Sequence, residues 1–159
     1  MGKYFGTDGY RGEANVDLTA DAAFRVGKFL GGYYQKKGRV GERCRIVIGK
    51  DTRRSSYMFE YALAAGITAA GADAYLMHVT TTPSVSFIVR SEDFSCGVMI
   101  SASHNPFQDN GIKVINENGE KLGDEVIEEI EAYLDGRTAE IPLAKGEEIG
   151  RTVDFAAGR

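Results

Sequence analysis

Residues 96–106 read CGVMISASHNP, a run of five apolar residues that passes directly into two serines, a histidine and an Asn-Pro turn. A short, continuous apolar run bounded by turn residues is typical of a strand buried in a sheet. A surface turn requires Asn or Pro, but it does not require serine and histidine beside them. The stretch therefore predicts a core strand that ends in a loop carrying chemistry.

The segments around this strand alternate between strands and helices. Helical spacing of apolar residues predicts helices over 17–38, 53–71, 82–91 and 124–136. Apolar or extended runs predict strands over 44–49, 72–77, 96–101 and 111–119. This alternation predicts a three-layer α/β/α domain, with helices on both faces of a mixed, mostly parallel sheet of about four strands.

Cap residues fix the expected helix ends. Thr19 is predicted to cap the first helix and Gly38 to end it, while the paired glycines at 31 and 32 weaken its last turns. Ser55 or Ser56 is predicted to cap the second helix. The domain is expected to cover residues 1–136. Residues 137–159 have little periodicity and are expected to be a linker cut before another domain.

Composition limits the classes of function. The chain has 159 residues, 43% of them hydrophobic, and a net charge of −4, which argues against a general nucleic-acid binder. No run approaches the length of a membrane span and the N-terminus lacks the apolar region of a signal peptide, so we expect a cytoplasmic protein without membrane contact. Cys44 and Cys96 each lie beside an apolar run and are expected to be buried thiols rather than a disulfide.

Three further polar loops accompany the serine-containing one, and two of them carry arginine. In residues 5–12, FGTDGYRG, glycine lets backbone amides approach an anion, and Arg11 supplies a planar fork for phosphate oxygens. In residues 51–56, DTRRSS, the sequence allows either a solvated loop with a helix cap or an Arg53 that orients other loops through ion pairs. Ligands gather beyond the carboxyl ends of parallel strands, so we expect these loops to share one edge.

Two common chemistries lack their motifs. A serine hydrolase requires a GxSxG elbow and a remote histidine, whereas His104 directly follows Ser103 and adjacent side chains diverge. The chain also contains no CxxC pair, no HExxH and no loop of alternating aspartates. Any divalent ion would therefore draw most of its ligands from elsewhere.

Taken together, several segments resemble the first domain of an α-D-phosphohexomutase, most closely the branch that acts on glucosamine phosphates. In order, over residues 4 to about 123, they are FGTDGYRG, GKDTR, EYALAAGITAAGA, TTPSVSFIV and GVMISASHNPFQDNGIK. The resemblance implies that Ser103, and not Ser101, is phosphorylated in the resting enzyme. This phosphoserine would convert glucosamine 6-phosphate and glucosamine 1-phosphate into one another through glucosamine 1,6-bisphosphate.

The resemblance also implies roles for particular residues. Lys113 is the proton shuttle, Arg11 pairs with the phosphoserine or helps in proton transfer, and His104 contacts the phosphoryl group or a sugar hydroxyl. Phosphate or substrate binding, or the shape of the loops that do it, is assigned to Thr7, Gly9 and Asn105. Mg²⁺ is expected to bind through the phosphate on Ser103, with its remaining ligands in an absent second domain.

The same resemblance sets the expectations for the chain as a whole. We expect a truncated piece, inactive by itself, whose partners are a hexosamine phosphate and the missing domains of its own chain. A homodimer is left open. Two alternative functions also stay open at this point: a domain of a phosphomannomutase or phosphoglucomutase, and a non-catalytic phosphate-binding module.

Overall fold

The computed structural model describes residues 3–38 and 41–155, and these form one mixed sheet with helices on both faces. The strands are β1 Phe5–Gly6, β2 Gly9–Glu13, β3 Arg45–Lys50, β4 Asp73–Val79, β5 Cys96–Ile100, β6 Asp109–Ile115 and β7 Thr152–Asp154. The helices are α1 Ala20–Lys37, α2 Arg54–Ala69, α3 Thr82–Ser91 and α4 Asp124–Leu134, and a 3₁₀ turn spans Gly146–Glu148.

The strand order is β1-β2-β6-β5-β3-β4-β7. The pairs β3–β4, β3–β5 and β4–β7 are parallel, and the pairs β1–β2, β2–β6 and β5–β6 are antiparallel. The predicted three-layer α/β class is confirmed. The sheet has seven strands in the described part of the chain rather than four, because β1, β2 and β7 are short and lack the apolar alternation that reveals a strand.

Alternation along the central strands divides the core between two layers. On β3, Ile46 and Ile48 pack with α1, α2 and α4, whereas Val47 points to the other face and packs with α3. Three helices therefore cover one face and a single helix covers the other. Within residues 3–38 and 41–155, no helix packs on the part of this second face that lies next to β2 and β6.

The first helix begins and ends where its caps predict. The Thr19 side chain accepts the amide of Ala22 at 3.1 Å, and Gly38 is the C-cap. The expected weakening at residues 31 and 32 does not interrupt α1. An added Cβ at Gly31 would come within 2.8 Å of the Ile67 carbonyl oxygen, so the missing side chain allows α1 and α2 to pack closely.

The predicted cap of the second helix is wrong. The N-cap residue is Arg53, without a side-chain cap, and Ser55 and Ser56 lie within the first turn of α2. The Ser56 hydroxyl instead donates to a carboxylate oxygen of Asp51 at 2.6 Å. The serine serves the loop that precedes the helix rather than the helix amides.

Residues 137–155 pack onto the rest of the domain. Arg43 donates to the carbonyl oxygens of Gly71, Glu147 and Glu148 at 2.7–2.9 Å, and β7 adds to the sheet beside β4. Glu140 accepts hydrogen bonds from α1 and α4, namely from Arg25, Lys28 and Tyr133. The boundary at residue 136 stays a prediction, but the segment that follows it is held in place.

Both cysteines are free and buried, as predicted, and burial raises the pKa of the Cys44 thiol to about 11. Among the described residues, no helix combines the length and the apolar character needed to cross a membrane.

Candidate functional site

The loop that follows β5, residues 101–109 (the serine loop), lies at the carboxyl edge of the parallel strands. The amide of Asp51, just after β3, donates to the carbonyl of Ile100 at 3.0 Å, and the amide of Ser101 donates to Gly111 on β6 at 3.0 Å. The loops after two neighbouring strands therefore start side by side. This is the edge at which open α/β sheets bind ligands.

Ser103 is the exposed serine of this loop, and its backbone is left-handed. Its φ is +53°, a conformation that costs an L-residue roughly 1–2 kcal/mol. The Ser103 amide donates to the hydroxyl oxygen of Ser101 at 3.1 Å. Non-glycine residues in this region cluster at functional sites, where the surrounding structure must hold them in place.

Ser101 has a different environment: it is only partly exposed, its hydroxyl oxygen accepts the Ser103 amide at 3.1 Å, and it lies close to the Asp51 carboxylate. Burial by itself raises the pKa of this carboxylate, but the hydrogen bonds donated by Ser56, Arg53 and Ser101 outweigh burial and lower the pKa below its ordinary value. Asp51 is therefore a fixed anion that anchors the base of the serine loop. Ser101 belongs to that anchor, and Ser103 projects beyond it.

Arg53 connects this anchor to the serine loop. Its side chain is only 11% exposed, and its Nε donates to Asp51 at 3.0 Å. Its two terminal nitrogens donate to four loop carbonyls at 2.6–3.1 Å, those of Ser103, Asn105, Pro106 and Asp109. Arg53 therefore contacts another loop, as one of the two sequence-based alternatives had it, but through backbone carbonyls; its ion pair is with Asp51 of its own loop.

Arg11 and Lys113 occupy the same face of two paired strands beside the serine loop. Arg11 pairs with Gly111, and Lys113 is two residues further along β6, which places it on the same side of the sheet. A Cβ at Gly111 would lie 2.8 Å from both the Arg11 Cγ and the Ser101 carbonyl oxygen. The missing side chain at residue 111 thus allows Arg11 to lie across β6, next to the base of the loop.

The Nε of Arg11 is buried and has no hydrogen-bond partner within residues 3–38 and 41–155. Buried donors without partners are uncommon in folded proteins, and each calls for an explanation. On the sheet face beside the serine loop, an anion is the partner that an arginine donor best fits.

The other predicted residues lie either in the serine loop or in the β1–β2 hairpin. His104 is exposed next to Ser103, and the Asn105 side chain donates to Asp109 at 3.2 Å within the serine loop. Thr7 lies at the two-residue tip of the β1–β2 hairpin. Along the paired strands, this tip is further from the serine loop than Arg11 is, and it extends beyond the position of Lys113. Gly9 has φ +93° and lies against the Ile112 carbonyl oxygen, so the tight turn alone explains this glycine.

Asn110 was not singled out from the sequence. It is fully buried, and its side chain donates to the hydroxyls of Ser55 and Ser56 at 2.9 and 3.0 Å and accepts from the Gly111 amide. It ties the start of β6 to the first turn of α2. Its position within the loop-to-strand segment DNGIK is the only signal that the sequence offered.

For the part of the chain described above, no three side chains of His, Cys, Asp or Glu are grouped so that they could hold a metal ion. A metal at this edge would therefore need donors other than a preformed cluster of this chain. A phosphate on Ser103 would be one such donor.

The chain is similar to known proteins in both sequence and fold. Residues 2–140 match the family described as phosphoglucomutase/phosphomannomutase, alpha/beta/alpha domain I. The phosphoglucosamine mutases of Lachnospira eligens and Lachnoclostridium phytofermentans are 70% and 66% identical to it over all 159 residues. The chain spans 35% of the length of each of these two relatives.

A solved phosphoglucomutase/phosphomannomutase family protein from Burkholderia thailandensis has the same fold, with a TM-score of 0.77 at 23% identity. The match covers 96% of this chain and 33% of that one.

Proposed function

The chain belongs to the phosphoglucomutase/phosphomannomutase family, with its alpha/beta/alpha domain I, and on that premise we propose that it carries the phosphoserine of a phosphoglucosamine mutase. The proposed reaction converts glucosamine 6-phosphate and glucosamine 1-phosphate into one another through glucosamine 1,6-bisphosphate. The observation that carries the proposal is an exposed, left-handed Ser103 whose loop is held by hydrogen bonds from Arg53. Arg11, which lies beside this loop, has a donor without a partner among the described residues.

In the proposed first step, the bond between phosphorus and the Ser103 oxygen breaks while a sugar hydroxyl oxygen forms a new bond to phosphorus. Lys113 is proposed to relay the hydroxyl proton, and the serine oxygen takes up one proton as its bond to phosphorus breaks, so that the transfer involves no net gain or loss of protons. The bisphosphate then reorients in the cleft, and its other phosphate is transferred back to the Ser103 oxygen by the reverse of these steps. Such transfer depends mainly on positioning and charge neutralisation.

Arg11 is proposed as the charged partner of the phosphoserine. A phosphorylated serine carries about −1.5 to −2 charges and three strong acceptor oxygens. Arg11 lies on the sheet face beside the serine loop, and its buried Nε has no partner among the described residues. His104 is proposed to contact the phosphoryl group or a sugar hydroxyl, and Asn105, Gly9 and Thr7 to shape the loops around them.

In this chain, the proposed ligand for a magnesium ion is the phosphate on Ser103. Its phosphate would supply one oxygen ligand, and a magnesium ion there would neutralise charge on the transferring group. The described side chains do not supply the rest of a coordination shell, so the remaining ligands are proposed to come from a further domain. We also propose that further domains recognise the sugar and that the protein is located in the cytoplasm.

A chimaera tests this function directly. This chain would replace the matching third of the Lachnospira eligens phosphoglucosamine mutase, and activity would be measured on glucosamine 6-phosphate. We expect an active chimaera and an inactive isolated chain. Ser103→Ala should reduce activity by several orders of magnitude, as removal of a covalent nucleophile does. Ser101→Ala should leave measurable activity. A folded but inactive chimaera, or an active Ser103→Ala variant, would reject the proposal.

A further inference from the structure

We infer that Arg53 is a positioning residue that sets the conformation of the serine loop and does not itself bind the phosphoryl group. This inference rests on the proposed function where it concerns catalysis. Its structural part concerns the loop of this chain alone.

Every N–H donor of the Arg53 guanidinium already faces an acceptor. A guanidinium has five N–H groups, and those of Arg53 face five acceptors: one carboxylate oxygen of Asp51 and the carbonyls of Ser103, Asn105, Pro106 and Asp109. The side chain is 11% exposed. A phosphate could bind Arg53 only by displacing contacts that shape the loop.

These contacts hold the backbone around Ser103 in place. The peptide groups on both sides of Ser103 are fixed, because its amide donates to Ser101 and its carbonyl accepts from Arg53. Asp51 in turn accepts hydrogen bonds from both the amide and the guanidinium of Arg53. A left-handed serine persists only where its surroundings over-determine it, and these three residues form that surrounding clamp.

Arg11 provides the contrast. Both arginines lie near the serine loop, but all five donors of Arg53 face loop or carboxylate acceptors, whereas the Nε of Arg11 has no partner in the described part of the chain. Of the two arginines, Arg11 is therefore the one whose donors are not committed to carbonyls of the serine loop. The guanidinium of Arg53 works through backbone geometry.

Lysine separates the two possible roles of Arg53. Arg53→Lys keeps the positive charge but offers three donors on a tetrahedral ammonium, which cannot reach four carbonyls and a carboxylate in one plane. Arg54 is the matched control, because it is the next residue in the chain and is exposed at the start of α2. Arg54→Lys makes the same chemical change without touching the loop.

The experiment has two readouts. In this chain, hydrogen exchange is followed at the amides of Asn105 and Asp109, which bond to Ala102 and Pro106, with β3 amides as the reference for the folded state. We expect Arg53→Lys to accelerate exchange at the two loop amides by roughly tenfold or more. Exchange in β3, and every amide in Arg54→Lys, should stay unchanged.

In the chimaera, Arg53→Lys should lower kcat by about 100-fold, the cost of a small misplacement of reacting groups. KM should stay within about twofold, because no substrate contact is removed. Arg54→Lys should match the unsubstituted chimaera in both parameters.

Unchanged loop exchange in Arg53→Lys would overturn the inference, and so would a raised KM with kcat retained, since that pattern indicates direct binding of phosphate. An inactive unsubstituted chimaera would reject the proposed function instead. In that case the exchange result on this chain would still decide whether Arg53 positions the loop.

Discussion

Arg43 and Arg53 bind loop carbonyls at opposite ends of β3. Arg43 precedes β3 and donates to three carbonyls, those of Gly71, Glu147 and Glu148. Arg53 follows β3 and donates to four carbonyls of the serine loop. In both places a guanidinium satisfies backbone acceptors that the sheet and the helices leave unpaired.

The two ends differ in the residues that adopt left-handed backbone. In the two turns that supply the Arg43 acceptors, the left-handed residues are Gly71 at φ +98° and Gly146 at φ +55°, which carry no steric penalty. Near Arg53 the left-handed residue is Ser103, for which the same conformation is unfavourable. Asn15, His78 and Asp93 are left-handed as well, so this conformation alone does not mark a functional site. At Ser103 it coincides with exposure at the carboxyl edge of the parallel strands, so the side-chain oxygen is the feature to explain.

The largest expected effect on stability is at the Arg43 end. Arg43→Ala should lower the free energy of unfolding by about 2 kcal/mol, because three carbonyls lose a charged donor that is itself partly exposed. Urea unfolding would measure the loss. Amide exchange at Ala74 and Phe155, which bond across β4 and the tail, should accelerate, while exchange in the serine loop should not. Equal loosening of both regions would show that the two ends are not independent.

A smaller effect is expected at Ser103 itself. Ser103→Gly should be more stable than Ser103→Ala by about 1 kcal/mol, because glycine adopts the left-handed conformation without steric cost. Paired thermal or urea unfolding of the two variants would measure this difference. If Ser103→Ala proved equally stable, the left-handed backbone would not be a source of strain, and the contrast with Gly71 and Gly146 would lose its basis.

The smallest effect concerns the anchor of the tail at Glu140. Hydrogen bonds from Tyr133, Lys28 and Arg25 lower the pKa of Glu140 from 4.5 to about 2. Because the pKa is lower in the folded state, the stabilisation is fully present above about pH 4.5 and is lost as the pH falls towards 2.

The Glu140 carboxylate is exposed, so the contribution is small. The free energy of unfolding would be measured from pH 7 to pH 2 for the parent chain and for Glu140→Gln. Above about pH 4.5 the parent chain should be the more stable of the two, and the two curves should converge as the pH falls towards 2. A constant difference across the range would contradict the assignment.

Features decided by local sequence were predictable. The cap at Thr19, the end at Gly38 and the apolar stripe of α4 each depend on neighbours within a few residues, and all three are present. The strand that leads to the serine loop is likewise marked by its own apolar run. The α/β class follows from the order of such local signals.

Features decided by distant partners were not predictable. β1 and β7 are two and three residues long, and they become strands only by pairing with β2 and β4. Most contacts of Arg53 are with backbone carbonyls, which leave no mark in the sequence of the acceptor residues. The predicted cap at Ser55 or Ser56 failed for a similar reason, because the Ser56 hydroxyl contacts Asp51 instead of the helix amides.

The most direct test of the account is the position of the phosphate. The chimaera would be incubated with glucosamine 1,6-bisphosphate and digested, and fragment masses of the peptide containing residues 101–103 would be measured. We predict one phosphate on Ser103, the exposed serine, and none on Ser101, which is only partly exposed and whose hydroxyl oxygen accepts the Ser103 amide. Phosphate on Ser101, or no phosphate on either serine in an active chimaera, would contradict it.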